Sequence, residues 1–191
     1  FSENTRLNVN YERKSQSVYK TTETLSSSID RYTNLWVGTD GDLYPLLQSN
    51  QLGVGFSHSK NRLTVDLDFY MKNMEGLTTF NFGYLDPNDQ DFHVGSAAIR
   101  GIDFFIQKQF NKAIFWLSYS FQDNLNTFEG LNENKAFPSN FLITHYLNTS
   151  SRFDLKGLSI ELNSLYRSGI PYSEPTGYEI IGTTGRLTYN E

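Results

Sequence analysis

The sequence predicts an all-β fold: an antiparallel transmembrane β-barrel, of which this chain supplies about seven strands. Three observations point there. Apolar and polar residues alternate with a period of two, short turns and long polar connections succeed one another strictly, and aromatics reach 15% of 191 residues at a mean hydropathy of −0.48. A spanning strand needs only about 9–11 residues, shown alternately to lipid and lumen, so many aromatics with low hydropathy suit a membrane barrel. No apolar run is long enough for a membrane helix.

The clearest strand is LTVDLDFYMK, residues 63–72. Successive side chains of a strand point to opposite faces, so Leu63, Val65, Leu67, Phe69 and Met71 share one side and Thr64, Asp66, Asp68, Tyr70 and Lys72 the other. Residues 5–12 alternate likewise, with Leu7, Val9 and Tyr11 against Arg6, Asn8, Asn10 and Glu12. Residues 51–57 place Leu52, Val54 and Phe56 opposite Gly53, Gly55 and Ser57, and are expected to turn near Ser59, Lys60 and Asn61 into 62–72.

Residues 99–110 and 113–122 predict a tight hairpin around Asn111-Lys112. Ile102, Phe104, Ile106 and Phe110 share a face there, as do Ala113, Phe115, Leu117, Tyr119 and Phe121. A third hairpin runs from 145–154 into 158–166, turning at Leu155-Lys156-Gly157. Between the hairpins, residues 13–50, 73–98, 123–144 and 167–191 are expected to be long connections, rich in turn formers such as GTDGD, LDPNDQD and GLNEN. Short turns on one side and long loops on the other characterise an outer-membrane barrel.

Charge follows the same division. The apolar faces carry no Asp, Glu, Lys or Arg except Lys108, which lies near its strand end and can snorkel to headgroups. The opposite faces hold Arg6, Glu12, Asp66, Asp68, Lys72, Asp103, Arg152, Asp154 and Glu161. Asp66, Asp68, Asp103 and Glu161 are therefore expected to line a lumen. Periodicity alone is also satisfied by a soluble β-sandwich with one solvated face.

Composition removes several function classes. A net charge of −5 without any basic block argues against a nucleic-acid partner. The chain has no cysteine, which excludes disulfides and thiol chemistry. The opening FSENTR has neither the basic start nor the apolar core of a signal peptide, so the targeting segment is expected to have been removed or to lie upstream.

From about residue 45 to 175 the chain resembles the barrel region of TonB-dependent outer-membrane receptors of the Bacteroidetes type. The stretches that carry the likeness are PLLQSNQLGVGF, LTVDLDFYMK, AIRGIDFFIQKQF, WLSYSFQDN, FPSNFLITHYLN and YRSGIPYSEP. Pro138, His145, Ser168, Gly169, Pro171 and Tyr172 occupy the most specific positions, while Ile143 and Thr144 stand where the family commonly has arginines. The resemblance implies a 22-stranded barrel with residues 1–191 as part of that single domain. The plug domain, signal peptide and last strands are expected to lie outside this chain. It further implies nutrient import (a glycan, peptide, siderophore or similar) across the bacterial outer membrane. The partners it implies are membrane lipid, the TonB complex acting through an N-terminal region and, in some members, a surface substrate-binding lipoprotein. A structural or secretion barrel is the alternative within the membrane class.

In such receptors substrate meets the extracellular loops first, which makes Trp36, Tyr44, Tyr84, Tyr172 and Tyr178 candidate substrate-binding aromatics. The competing role for them is in interfacial girdles or loop packing. The acidic run Asp86, Asn88, Asp89, Asp91 lacks the glycine and glutamate of a calcium loop. His58, His93 and His145 show no ligand spacing, so neither metal nor cofactor is expected. Asp66 and Asp68 project about 7 Å apart, within glycosidase reach, but a lumen lined with mixed charges predicts such neighbours without any catalytic role. GxSxG is absent, and no enzyme activity is expected.

Overall fold

The computed structural model describes residues 4–24, 32–42, 44–82, 90–172, 175–181 and 184–189. Seven strands form one continuous antiparallel sheet, β1 (Thr5–Gln16), β4 (Leu47–Lys60), β5 (Leu63–Phe82), β6 (Gln90–Gln109), β7 (Ala113–Phe128), β9 (His145–Leu155) and β10 (Leu158–Arg167), hydrogen-bonded in that order. A two-residue strand, β8 (Phe137–Pro138), pairs with the outer part of β7. Two separate hairpins, β2 (Val18–Thr24) with β3 (Tyr32–Gly38) and β11 (Pro175–Ile181) with β12 (Thr184–Tyr189), lie outside this sheet among the described residues. The chain is all-β and the sheet is open, with β1 and β10 as its edges.

Three tight turns join neighbouring long strands at one end of this sheet. Asn61 and Arg62, at φ of 52° and 60°, form the β4–β5 turn, the left-handed pair that two-residue hairpins require. The expected turn lay up to two residues earlier, because arginine is no signal for this conformation. At the β6–β7 turn, Phe110 N–H donates to the Ala113 carbonyl at 2.7 Å, closing the predicted Asn111-Lys112 loop. Lys156 and Gly157 make the third.

At the other end the connections are shorter than the sequence suggests, because the strands continue. β5 and β6 are each 20 residues long, so 73–82 and 90–98, expected as loop, are paired strand. Residues 123–128 likewise extend β7, and 13–50 contains the β2–β3 hairpin. In β5 the register shifts between Glu75 and Leu77, at Gly76 with φ of 79°. An L-residue pays for that angle, so glycine marks the bulge, and each side chain beyond it changes face.

Register sets the two faces. One row runs Val9, Val54, Phe69, Ile102, Phe121, His145, and the next runs Leu7, Phe56, Leu67, Phe104, Tyr119, Leu147, Tyr166. Opposite them lies Asn8, Gly55, Asp68, Asp103, Ser120, Tyr146, Arg167. A sheet this size normally buries its apolar face beneath a second layer. Here only Ala97, Phe128 and Leu142 are buried hydrophobics among the described residues, whereas Leu52, Phe69, Met71 and Leu162 are 46–62% exposed. The chain exposes 14331 Å², against roughly 9,300 Å² for a compact monomer of its mass.

Candidate functional site

The apolar face is bounded at both ends by charge. On the turn side Lys108 sits opposite Leu63 and Phe115, and its Nζ donates to the Asn61 carbonyl at 3.0 Å. The side chain bends toward the turn, as a snorkelling lysine does. On the far side Arg100 pairs in register with Met71 on the same face, so Lys108 is not the sole charge there, contrary to expectation; Arg100 donates through Nε and Nη2 to one oxygen of Asp123, at 3.0 and 2.8 Å.

Between these limits aromatics gather at both margins. Phe115 makes edge-to-face contacts with Phe110 and Phe153, at centroid separations of 5.8 and 5.3 Å. Near the opposite margin Tyr119 and Phe121 flank His145, whose Nδ1 lies 2.9 Å from the Tyr119 hydroxyl. A shallow depression of about 290 Å³ lies at the Arg100 margin of β4–β7, lined by Leu52, Val54, Phe69, Met71, Arg100, Ile102 and Phe121 among others.

The opposite face holds the acidic residues anticipated from the sequence. Asp68 and Asp103 are directly paired across β5 and β6, and Asp66 accepts a hydrogen bond from Ser57 Oγ. Like charges facing one another on a sheet destabilise it unless water solvates them, so this face suits an aqueous setting. Glu161 stands apart on β10, with Arg152 Nε 3.9 Å away and Arg152 closer to Asp154 at 3.0 Å. The face is not uniformly polar: the register puts Phe105, Ile114, Trp116 and Leu165 on it too.

Close packing on this side depends on missing side chains. Tyr70 lies across Gly101, filling the space that a Cβ would take, with the Phe121 carbonyl oxygen a further 2.8 Å from the same point. Among the described residues no group of three or more His, Asp or Glu is placed to hold a metal ion.

Among the described side chains the candidate loop aromatics Trp36, Tyr44 and Tyr172 do not converge. Tyr44 packs at a ring separation of 5.5 Å against Tyr19, a residue the sequence did not single out. The single Tyr19 hydroxyl proton is shared between the carbonyls of Gly76, at 2.7 Å, and Pro45, tying the base of the β2–β3 hairpin to the bulge in β5. Burial pushes the Tyr19 pKa upward, with a hydrogen bond from Thr78 opposing it. Trp36 and Tyr172 are 71% and 81% exposed, each as a single outlying ring. Tyr178 falls in β11, and Tyr84 lies outside the described residues.

Asp40 shapes the turn that carries Tyr44. Its Oδ1 accepts from the backbone N–H groups of Asp42 and Tyr44, at 2.9 and 2.8 Å. Those two bonds hold its carboxyl below the usual carboxylate range. A second feature that the sequence did not disclose is an open groove of about 660 Å³, lined by Val94, Gly95, Ser96, Thr127, Phe128, Glu129 and Asn134. It is built from strand extensions expected as loop and from a turn in which Asn132, Glu133 and Asn134 all have positive φ.

These features define the class: an open antiparallel sheet with one continuous, uncovered apolar face and one charged face. No protein-family model matches the chain, and neither a curated protein nor a solved structure matches it.

Proposed function

We propose that this chain is part of the wall of an outer-membrane β-barrel, in a TonB-dependent receptor that imports a nutrient such as a glycan, peptide or siderophore. One observation carries the membrane assignment: the apolar rows cross all seven strands and nothing among the described residues covers them. A soluble sandwich needs a second layer on that face.

The dimensions agree with lipid. Arg100 and Lys108, which bound the band on β6, are about 27 Å apart along the strand at about 3.4 Å per residue. A tilt of about 40° reduces that to roughly 20 Å, near the ~25 Å apolar belt of such barrels. Backbone groups in lipid must all be paired, so closure of the wall needs further strands at the β1 and β10 edges.

In this proposal Asp66, Asp68, Asp103 and Glu161 line the aqueous interior. Trp36, Tyr44 and Tyr172 belong to the outer, substrate-facing end, with Tyr84 and Tyr178 assigned there from the sequence. The chain performs no bond-making step. Coupling to the TonB complex, and to a surface lipoprotein where one exists, rests on the resemblance. The test is to fractionate the source cells and to map the native polypeptide by mass spectrometry. Recovery from the outer membrane, within a polypeptide that also contains a plug and more alternating strands, supports the proposal. A monomer that stays soluble without detergent overturns it.

A further inference from the structure

The short-turn end of the sheet has a charge opposite to that of the chain. In a protein of net charge −5, Lys60, Arg62, Lys108, Lys112 and Lys156 all stand at or beside the three tight turns. Among the described residues only one acid lies that close, Asp154, and it is held by Arg152 and Ser159 at 3.0 and 2.8 Å. None of the five cations forms an ion pair among the described residues. All but Lys108 are exposed.

Their placement relative to the apolar band is consistent. Lys60 shares its face with Leu52, Val54 and Phe56, and Lys108 shares the same face in β6. Arg62 reaches from one turn to the next, donating through Nη1 to Asn111 Oδ1 at 2.8 Å. Turns two strands apart lie about 10 Å from one another, since neighbouring strands are about 4.8 Å apart. The result is a row of cations along the lower margin of a face that nothing among the described residues covers. The far margin differs: Arg100 there is already neutralised by Asp123.

We infer that this basic rim docks on the anionic phospholipid headgroups of the leaflet at the short-turn end, anchoring the depth and orientation of the wall. The inference rests on the membrane assignment above. Charge complementarity favours a net-anionic headgroup over a zwitterionic one, and attraction of this kind falls off within about a Debye length, roughly 8 Å in physiological salt. The rim adjoins the apolar rows, so one lipid molecule meets both.

The test is flotation of the full chain, diluted from a neutral detergent onto vesicles of phosphatidylcholine alone or of phosphatidylcholine mixed with phosphatidylglycerol. The expected result is at least roughly tenfold stronger partitioning to the anionic vesicles, lost in high salt. The triple variant Lys60→Gln, Lys112→Gln, Lys156→Gln should lose that preference, while the matching Lys→Arg triple keeps it. Replacing Lys14 and Lys135, on the opposite end, should leave it unchanged. Equal partitioning to both vesicle types, or a preference that survives the Gln triple, overturns the inference and leaves the membrane assignment standing. Failure to float with either vesicle overturns both.

Discussion

The two halves of the sheet obey different physical rules. In the half nearest the short turns, Val65, Leu67 and Phe69 of β5 face Ile106, Phe104 and Ile102 of β6, and the acids stay on the far face, with Lys60 and Lys108 at the turn margin. In the half beyond Arg100 and Asp123 the strands go on pairing, but polar residues such as Asn50, Asn73 and Glu75 occupy the face that was apolar. Strand formation thus depends on the backbone ladder, which runs through both halves, whereas the solvent each half tolerates depends on side chains. A membrane-spanning zone with a water-facing extension accounts for the contrast.

The contrast breaks most severely in the middle of the apolar band. Leu67 pairs with Phe56 and Phe104, so Leu67→Arg should cost about 2–4 kcal/mol in a bilayer. Asn73→Arg, on the same face but in the extension, should cost less than about 0.5 kcal/mol. Urea titration of the chain in lipid vesicles, followed by tryptophan fluorescence, measures both. Equal costs at the two positions would remove the distinction between the halves.

A smaller effect separates two glycines on the charged face. At Gly53 the space for a Cβ is taken by the Asn10 side chain, which can rotate away, whereas at Gly101 the Phe121 backbone carbonyl stands 2.8 Å off as well as the Tyr70 ring. Gly101→Ala should therefore destabilise by about 1–3 kcal/mol and Gly53→Ala by less. Adding Tyr70→Ala to Gly101→Ala should recover only part of the loss, because the carbonyl remains. Full recovery in that double variant would show the ring alone to be the obstacle.

What was legible in the sequence follows the same division. The seven strands and their faces came through because period-two alternation is local and strong in residues 52–71 and 102–121. The Asn111-Lys112 turn was equally local. The extensions were illegible because apolar residues such as Met74, Leu77 and Val94 keep no sustained period-two alternation through 73–82 and 90–98, which become strand by pairing with each other. The face change after Gly76 depends on a backbone angle that glycine permits without announcing. At the candidate site the acidic residues were placed on the correct face by counting, while Tyr19 was missed because its role depends on the carbonyls of Pro45 and Gly76. Sequence distance hid that cluster.

The smallest expected effect concerns the outer end, where one carboxylate organises a turn. Asp40 is exposed, yet its carboxyl is held below the usual carboxylate range because the Asp42 and Tyr44 amides donate to it. A depressed folded pKa contributes stability that is present above the unfolded value and is lost as pH falls through the folded one. Hydrogen-exchange protection of the Asp42 and Tyr44 amides should accordingly hold at neutral pH and decline once acid protonates Asp40, below about pH 4. Asp40→Asn keeps an acceptor oxygen without a titrating charge, so it should retain the turn with little dependence on pH. Asp40→Ala should lose the protection throughout. If protection in the native chain persists unchanged well below the carboxylate range, the turn is held by its backbone bonds from Asp40 and Gly41 to the Tyr44 carbonyl, and Tyr44 owes its position to Tyr19 instead.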